Sequence, residues 1–417
     1  MSEVTWEITS LSELGTFSRG KSKHRPRNDA RLFEGGKHPL VQTGDVKAAN
    51  LYITKNDSYY NDFGLKQSKL WPAGTLCITI AANIAETAIL SYPMCFPDSI
   101  VGFNANPEKS SELFVYYFFE YIKKEIQKSA SGSIQDNINI DYLSKMRIKV
   151  PEKDYQDKIV EVLSSIDKKI LLNNQINQDL EAMAKTLYDY WFVQFDFPDP
   201  NGKPYKSSGG KMIYHPELKR EIPEGWGVEK IEDIAKTGSG GTPKSTNVSY
   251  YSNGEIPWIN SGELEQTVIT STSNFITEEG LNNSSAKLFP SGTILVAMYG
   301  ATAGKVSFLT FEASTNQAIC AIMLNDIRMR YYLKNVIEDL YQYLVKLSTG
   351  SARDNLSQDM IKNIKVVIPS NDILDRYYDF SNNIIKEITK KQQENEQLTQ
   401  LCDWLLPMLM NGQVKVE

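Results

Sequence analysis

The sequence has little of what catalytic, metal-binding or secreted proteins need. Its four cysteines are scattered without a C-x-x-C pair, and its three histidines have neither metal-ligand nor Ser/His/Asp spacing. No apolar run reaches the length of a membrane helix, and the first residues lack the charged-then-apolar pattern of a secretion signal. We therefore expect a reducing, cytoplasmic location with no membrane, no disulfide framework and no bound metal.

Excess positive charge is also absent, because the 417-residue chain has a net charge of −6. This balance argues against a protein that coats nucleic acid with its whole surface, but it allows local basic patches. The length and the apolar content of 41% are sufficient for two or three globular domains.

Three kinds of catalytic motif are approached in the sequence, but none is complete. Residues 299–305 follow an apolar strand as a phosphate-binding loop would, but the loop is one residue short and lacks the Ser or Thr that would hold magnesium. Asp199, Glu217 and Lys219 resemble a nuclease site, yet they lie in a polar linker. Residues 106–108 and 238–241 do not fit the loops of a DNA methyltransferase. We therefore predict no catalytic residue and no cofactor bound by this chain.

What the sequence does contain is a long helix with a seam for pairing. In residues 152–191 the seam positions alternate in steps of three and four, as in a coiled coil. They include Leu163, Ile166, Ile170, Asn173, Asn177, Leu180 and Leu187. A second seam in the same phase lies 218 residues later and includes Ile384, Ile388, Asn395, Leu398 and Leu405. Polar residues inside each seam would fix register and partner choice at a cost in stability.

The 218-residue offset extends beyond the helices. LWPAGT at residues 70–75 matches LFPSGT at 288–293, and SGSIQDNINID at 131–141 matches TGSARDNLSQD at 349–359. Each copy combines short β-branched strands with an aromatic amphipathic helix, whose aromatic stripe we interpret as core packing. We predict an α+β fold of two tandem, similar β-rich domains, each followed by a long helix, the two helices pairing as an antiparallel coiled coil.

The predicted boundaries follow from this duplication and from a Pro-, Gly- and Ser-rich stretch between the copies. They are a first recognition domain at residues 1–151, a long helix at 152–195, an extended linker at 196–222, a second recognition domain at 223–369 and a distal helix at 370–417. Both helices are acidic, which suits a spacer and a protein-docking surface better than a DNA contact.

Residues 15–37 form a basic loop with seven basic and two acidic residues. Such a loop suits phosphate contacts and, through arginine, guanine edges; a solvated, disordered loop is the alternative. The predicted DNA contacts here are Arg19, Lys21, Lys23, Arg25, Arg27 and Lys37. The counterpart at residues 236–247 is less charged and supplies Lys244 and Ser245. Loops that differ on a shared frame are typical of two different recognition surfaces.

Polar residues also follow matched strands, where they either read bases or cap turns. They are Gln42, Thr43 and Lys47 in the first copy, and Asn260 and Ser261 in the second. Further candidates for DNA contact are Gln135 and Arg353 at matched positions, and Tyr299 and Lys305 in a basic turn.

Together these motifs resemble the specificity subunit of type I restriction–modification enzymes. The resemblance covers essentially the whole chain and is carried by the two duplicated motifs, by the linker at residues 195–226, and above all by the run IPWINSGEL…LFPSGTILVAMYGATAGKV…STNQAICAI. The first module departs from this pattern, with IAANIAETA where the second has MYGATAGKV, so its DNA contacts are the least transferable.

The resemblance implies a non-catalytic subunit whose two domains each read one half of a bipartite, asymmetric site in double-stranded DNA. It implies that the helices set the spacing and dock methylation subunits, in two copies, with restriction subunits joining them. S-adenosylmethionine, ATP and magnesium would then belong to those partners. The competing functions are a stand-alone DNA methyltransferase or nuclease, and a scaffold protein that binds no DNA.

Overall fold

The computed structural model describes residues 4–81, 83–132, 139–300, 302–347 and 356–416. The chain divides into two compact units, unit 1 comprising Met1–Leu171 with Glu396–Glu417, and unit 2 comprising Leu172–Asn395. Both boundaries fall inside long helices, so each unit contains part of both. Among the described residues, no helix is long and apolar enough to cross a membrane.

Unit 1 is built from short strands and a few helices. Its strands are β1 Trp6–Ser10, β2 Gly15–Arg19, β3 His38–Leu40, β4 Tyr52–Ile53, β5 Ser58–Tyr60, β6 Leu70–Trp71, β7 Leu76–Thr79, β8 Thr87–Leu90, β9 Met94–Cys95, β10 Ile100–Ala105 and β11 Arg147–Pro151. Its helices are α1 Leu11–Leu14, α2 Thr43–Ala48, α3 Asp62–Gln67, α4 Glu112–Gly132 and α5 Ile140–Lys145, with the first part of α6 Lys153–Tyr188.

Unit 2 repeats this series after a short hairpin. Its strands are β12 Met212–His215, β13 Arg220–Pro223, β14 Gly227–Lys230, β15 Ala235–Ser239, β16 Ile256–Ile259, β17 Val268–Ile269, β18 Phe275–Ile276, β19 Leu288–Phe289, β20 Ile294–Ala297, β21 Val306–Leu309, β22 Ala313–Thr315, β23 Ile319–Leu324 and β24 Lys365–Ile368. Its helices are α7 Ile231–Ile234, α8 Glu278–Asn282, α9 Arg330–Leu347 and α10 Gln358–Lys362, with the first part of α11 Asn371–Met410. A π-helical turn, Asp189–Val193, ends α6.

The sheet topology is the same in both units. Unit 1 has a five-stranded sheet of order β2-β10-β7-β8-β4, a four-stranded sheet of order β5-β3-β9-β6, and a closing pair β1-β11. Unit 2 has the orders β15-β23-β20-β21-β17 and β18-β16-β22-β19, and the pair β14-β24. Adding 13 to a strand's number converts one set into the other. The predicted duplication of a β-rich domain is therefore confirmed at the level of strand order.

The matched Pro-x-Gly-Thr turns start the central strands of both units for the same physical reason. Gly74 and Gly292 have φ of 86° and 87°, a region that is unfavourable for residues with a Cβ. Thr75 and Thr293 donate Oγ1 hydrogen bonds of 2.9 and 2.7 Å to the carbonyl three residues earlier. The turns thus close in the same way and start β7 and β20, whose residues are all buried.

The aromatic stripe of each amphipathic helix is core packing, as predicted. Phe114, Tyr117 and Phe119 of α4 are at most 2% exposed in the core of unit 1. Tyr331 and Tyr332 of α9 are 3% exposed in the core of unit 2. The rings stabilise the fold by burying a large apolar area and are not a surface for stacking bases.

In unit 2 the two long helices run antiparallel, as predicted. Trp191 at the end of α6 lies 6.0 Å from Tyr377 near the start of α11, centroid to centroid. Asn173 meets the other end of this segment, where its Nδ2 donates to Asn395 Oδ1 at 2.9 Å. Asn395 in turn donates to Asn174 Oδ1 at 2.8 Å. The seam asparagines thus form a polar layer between the helices.

In unit 1 the same direction holds at the other ends of the helices. The Tyr155 hydroxyl, near the start of α6, accepts a 2.9 Å hydrogen bond from the backbone N–H of Val416, just beyond α11. Leu405 packs against the core cluster that contains Leu163. The seam residues of both units are buried or half-buried and none is exposed, including Ile166, Ile170, Asn177, Leu180, Leu187, Ile384, Ile388 and Leu398.

The stretch predicted as an extended linker contains more structure than its composition indicated. β12 and β13 pair as an antiparallel hairpin from Met212↔Pro223 to His215↔Arg220. Ahead of the hairpin, Phe197 stacks on Trp226 with ring centroids 4.9 Å apart, and Phe195 packs edge-on against the same indole. The stretch is therefore anchored to the core of unit 2 through aromatic rings.

Candidate nucleic-acid interface

The basic loop of unit 1 is a folded segment fixed by backbone hydrogen bonds. It leaves the sheet after β2 and reaches a 3-10 turn, Ala30–Leu32, which Asp29 caps. The N–H of Lys21 donates to the carbonyl of Phe96 at 3.2 Å, and the N–H of Lys23 to that of Gln67 at 3.4 Å. These bonds favour an ordered loop over the disordered alternative. The side chains of Lys21, Lys23 and Lys37 are exposed.

The prediction that residues 15–37 form one loop is wrong for Gly15–Arg19, which is strand β2. Arg19 at the end of β2 and Arg25 and Arg27 in the following loop converge on Asp98, which precedes β10. Arg19 donates from Nε to the backbone carbonyl of Asp98 at 2.6 Å, and Arg27 donates from Nη2 to Oδ1 at 2.5 Å. Arg25 lies 3.6 Å from Oδ2 and also donates from Nη1 to the carbonyls of Ser22 and His24. The carboxylate of Asp98 therefore restrains Arg25 and Arg27, and its backbone carbonyl restrains Arg19.

A second carboxylate, Asp29, holds Arg31 and His24. Arg31 donates to both carboxylate oxygens from Nε and Nη2, and His24 Nε2 lies 2.7 Å from Oδ2. The Arg31 guanidinium, followed by the His24 ring, holds the pKa of Asp29 well below its usual value. Arg31 is thus committed to an ion pair within the loop.

The structure brings Arg27 together with two polar residues that the sequence placed elsewhere. Arg27, Gln42 and Thr43 line a cavity of about 300 Å³ at the base of the loop, with Ser22 and Ser99. Gln42 and Thr43 begin α2, and the side chain of Asp45 accepts the N–H of Gln42 at 2.7 Å. Gln42 is the N-cap residue of α2, and its side chain is exposed. Lys47 is exposed on the same helix.

Unit 2 presents carboxamides and hydroxyls in the equivalent region. Gln317 Oε1 accepts a hydrogen bond from the Thr242 hydroxyl. Asn316 Nδ2 lies 3.4 Å from Asn260 Oδ1, and the carbonyl of Ser261 accepts from a threonine hydroxyl at 2.7 Å. The predicted Asn260 and Ser261 are half-buried in this cluster, whereas Lys244 and Ser245 are exposed on the loop after β15.

The other two predicted contacts of unit 2 lie in different surroundings. Tyr299 is half-buried and packs against the core of unit 2. Lys305 is exposed and lines a cavity of about 350 Å³ between the domain and the two helices, among residues that include Glu181, Lys334 and Glu338. Mixed charges in that cavity make it a poor phosphate site. DNA contact by Tyr299 and Lys305 remains a prediction.

The predicted DNA contacts Gln135 and Arg353 lie outside the described residues.

The two carboxylates that resemble a nuclease site have different partners. Asp199 Oδ1 accepts backbone N–H groups of its own turn, and Glu217 pairs with Lys365 at 2.9 Å. In the described part of the chain, no group of three or more His, Cys, Asp or Glu side chains could hold a metal ion.

Sequence reasoning missed Asp98, Thr242, Asn316 and Gln317. Asp98 was missed because an acid is not an obvious part of a phosphate-binding surface. The two amides stand in the STNQA segment directly after β22, and polar residues at a strand end were the signal that could have located them.

Comparison with known proteins gives these surfaces a context. The family model described as "Type I restriction modification DNA specificity domain" matches the chain twice, at residues 3–182 and 223–400. The chain is 26% identical over 421 residues to the type I restriction enzyme MjaIX specificity subunit of Methanocaldococcus jannaschii, covering 99% of this chain and 94% of that one. It is 28% identical over 453 residues to the HindI specificity subunit of Haemophilus influenzae, covering 93% and 97%.

A solved structure agrees at the level of the fold. The crystal structure of a type I restriction–modification S subunit from M. genitalium superposes with a TM-score of 0.56 at 15% sequence identity. The superposition covers 98% of this chain and 97% of that one.

Proposed function

The chain belongs to the family of type I restriction modification DNA specificity domains, of which it carries two copies, and we propose that it is the DNA-reading subunit of a type I restriction–modification complex. One observation carries the proposal: two units with the same strand order present chemically different polar loops in equivalent places. Unit 1 presents arginines and lysines, and unit 2 presents carboxamides and hydroxyls together with Lys244. Each unit would read one half of a bipartite, asymmetric site.

The helices would serve as spacer and as docking surface. Several apolar side chains on them are exposed: Leu171 58%, Trp404 57%, Leu172 55%, Met183 54% and Leu401 41%. Exposed apolar groups on acidic helices are typical of protein-binding surfaces. We propose that methylation subunits, in two copies, bind here and that restriction subunits join them in the cytoplasm. The chemistry that uses S-adenosylmethionine, ATP and magnesium would belong to those partners.

DNA binding without chemistry is the first property to test. The full-length chain should bind duplex DNA with an affinity that falls steeply as salt rises, because lysines and arginines displace counterions from phosphates. Replacing Lys21 and Lys23 with Ala should reduce the slope of log affinity against log salt by about two. A double substitution of Lys206 and Lys211, on the linker, is the matched control. Unchanged slope in the first variant would contradict phosphate binding by the loop.

Catalysis by the chain alone is the competing function. The purified chain incubated with DNA, magnesium and S-adenosylmethionine should neither cut nor methylate the DNA. Turnover without another subunit would support a stand-alone nuclease or methyltransferase instead.

A further inference from the structure

The arginines of the basic loop differ in how far their guanidinium groups are free to bind DNA. Arg25 uses Nη1 for two backbone carbonyls of its own loop, so it mainly holds the loop in shape. Arg31 uses Nε and Nη2 for Asp29. Arg27 makes one hydrogen bond, from Nη2 to Asp98, and its Nη1 edge has no partner among the described residues. Arg19 is held only through Nε, by the backbone carbonyl of Asp98. Arg27 is therefore the arginine whose guanidinium end is restrained by a carboxylate while Nη1 stays open to another partner.

A held guanidinium suits a base edge better than a phosphate. Guanine presents N7 and O6 as two acceptors in the major groove, and an arginine whose plane is fixed can donate to both at once. The bond to Asp98 restrains the guanidinium plane from one side, while the Arg27 side chain stays about half exposed, at 51%. A mobile lysine suffices for a phosphate, so an ion pair that restrains Arg27 is informative about its role.

The neighbours of Arg27 are also those of a base-reading site. Gln42 and Thr43 line the same cavity, and their amide and hydroxyl groups are suited to the edges of adjacent bases. The backbone of this region is constrained by α2 and by the hydrogen bonds of Lys21 and Lys23, which keeps the cavity's polar groups in fixed positions.

Unit 2 lacks this arrangement at the equivalent position. Val101 pairs with Arg19 across β10 and β2, and Cys320 pairs with Ser239 across β23 and β15. Asp98 lies three residues before Val101, and Gln317 lies three residues before Cys320. The carboxylate of unit 1 is therefore replaced in unit 2 by a carboxamide, whose Oε1 accepts from the Thr242 hydroxyl.

We propose that Arg27 reads a guanine in the half-site of unit 1 and that Asp98 is the positioning residue that orients it. This inference rests on the proposed function and names the base chemistry of one half-site. Gln317 occupies the equivalent place in unit 2 and reads a base in the other half-site, with the adenine preference of carboxamides.

The test is a selection from a pool of randomised DNA duplexes by the full-length chain, followed by sequencing. Wild type should enrich a bipartite site with guanine in one half. Arg27→Ala should lower the preference for guanine at one position by about 5- to 150-fold while leaving the other positions unchanged. Arg31→Ala, which removes the same charge from the same loop, is the matched control and should leave every base preference intact. Gln317→Ala should affect only the opposite half.

Asp98→Ala separates positioning from folding, because alanine leaves Arg27 no side-chain oxygen to which it can donate. The variant should lose preference at the Arg27 position, yet bind random-sequence DNA as tightly as wild type or more tightly, because losing the Asp98 carboxylate makes the surface around the loop more positive. Loss of both properties would show that Asp98 only keeps the loop folded. In that case Arg27→Lys, which keeps the charge and loses the two-pronged geometry, decides the role of Arg27: the guanine preference should fall and random-DNA affinity should persist.

Three results would overturn the inference while leaving the proposed function in place. They are a uniform loss of affinity in Arg27→Ala, equal loss of preference in Arg31→Ala, and an effect of Arg27→Ala and Gln317→Ala on the same half-site. Failure of wild type to enrich any sequence would instead count against the proposed function itself.

Discussion

At the scale of single residues, Asp167 is a carboxylate in an unfavourable place. It lies on α6 in unit 1, accepts a hydrogen bond from the Tyr117 hydroxyl and lines a cavity of about 880 Å³. Burial raises the pKa of Asp167, and the bond from Tyr117 only partly offsets that effect. The fold therefore favours the protonated carboxyl.

We predict that Asp167→Asn stabilises unit 1 in a pH-dependent way. Below the pKa of the unfolded chain the carboxyl is protonated in both states, so variant and wild type should melt alike. As pH rises through the unfolded and then the raised folded pKa, wild type loses stability and the variant's advantage grows to a plateau. Thermal unfolding between pH 4 and pH 8 measures this. A pH-independent gain in Asp167→Asn would refute the explanation.

Single residues also show which parts of the candidate site could be predicted from the sequence. Its composition located the arginines of the basic loop, since charge clusters are local. The partner that orients them, Asp98, is about seventy positions away along the chain, and only the pairing of β10 with β2 brings it near. Gln317 and Thr242 meet for the same reason across β23 and β15.

At the scale of elements, the polar layer of the helix pair has a defined cost and role. Asn173 is completely buried and its Oδ1 has no partner among the described residues, and the same holds for Oδ1 of Asn177. These unpaired amide oxygens lower the stability of the helix pair. They also disfavour other registers of the two helices, because a shift would break the asparagine hydrogen bonds that are now made.

Replacing Asn173 or Asn395 singly with Leu should destabilise unit 2 by about 1–3 kcal/mol, because either change removes the hydrogen bond between them. Asn173 then keeps only its bond to Glu394, or Asn395 only its bond to Asn174. The double substitution should cost less than the two single ones together, with a coupling of about 0.5–3 kcal/mol. Hydrogen exchange of the unit 2 helices measures the free energies of opening. Additive costs would mean that the two amides do not act as a pair.

The segment after α11 is a second element with a testable role. Val414 and Val416 pack against the core of unit 1, and the Tyr155 hydroxyl donates to the first and accepts from the second at 3.4 and 2.9 Å. Tyr155→Phe keeps the ring and removes both bonds, so we expect a loss of about 0.5–1.5 kcal/mol per bond and faster proteolysis after residue 410. Tyr142→Phe, at an exposed tyrosine, is the control; equal melting of Tyr155→Phe and wild type would contradict this role.

Elements were predictable where their pattern was local and repeated. The coiled-coil seam and the Pro-x-Gly-Thr turns were readable because both depend on neighbours within a few residues. Strand order was not readable, because β10 lies between β2 and β7 through contacts far apart in sequence. The hairpin of β12 and β13 was hidden in a stretch of Gly, Ser and Lys whose composition indicated an extended chain.

At the scale of the whole molecule, we propose that the length of the two helices sets the gap between the two DNA half-sites. Duplicating residues 172–178 and 390–396 adds one heptad to each helix and keeps the seam in phase. Seven residues add about 10 Å, so the gap between half-sites should grow by about three base pairs. The enriched gap in a duplex selection measures this. A heptad added to the first helix alone should disrupt the pairing instead. An unchanged gap in the variant with both duplications would show that helix length does not set the gap.

We propose that this one chain determines which bipartite DNA sites are modified by the chemistry of its partner subunits. Mapping of methylated bases across the genome, in cells with and without the intact chain, tests it most directly. We predict a motif of two different half-sites separated by a fixed, non-specific gap, methylated only when the chain is present. A continuous or palindromic motif, or a methylation pattern that does not depend on the chain, would contradict the claim.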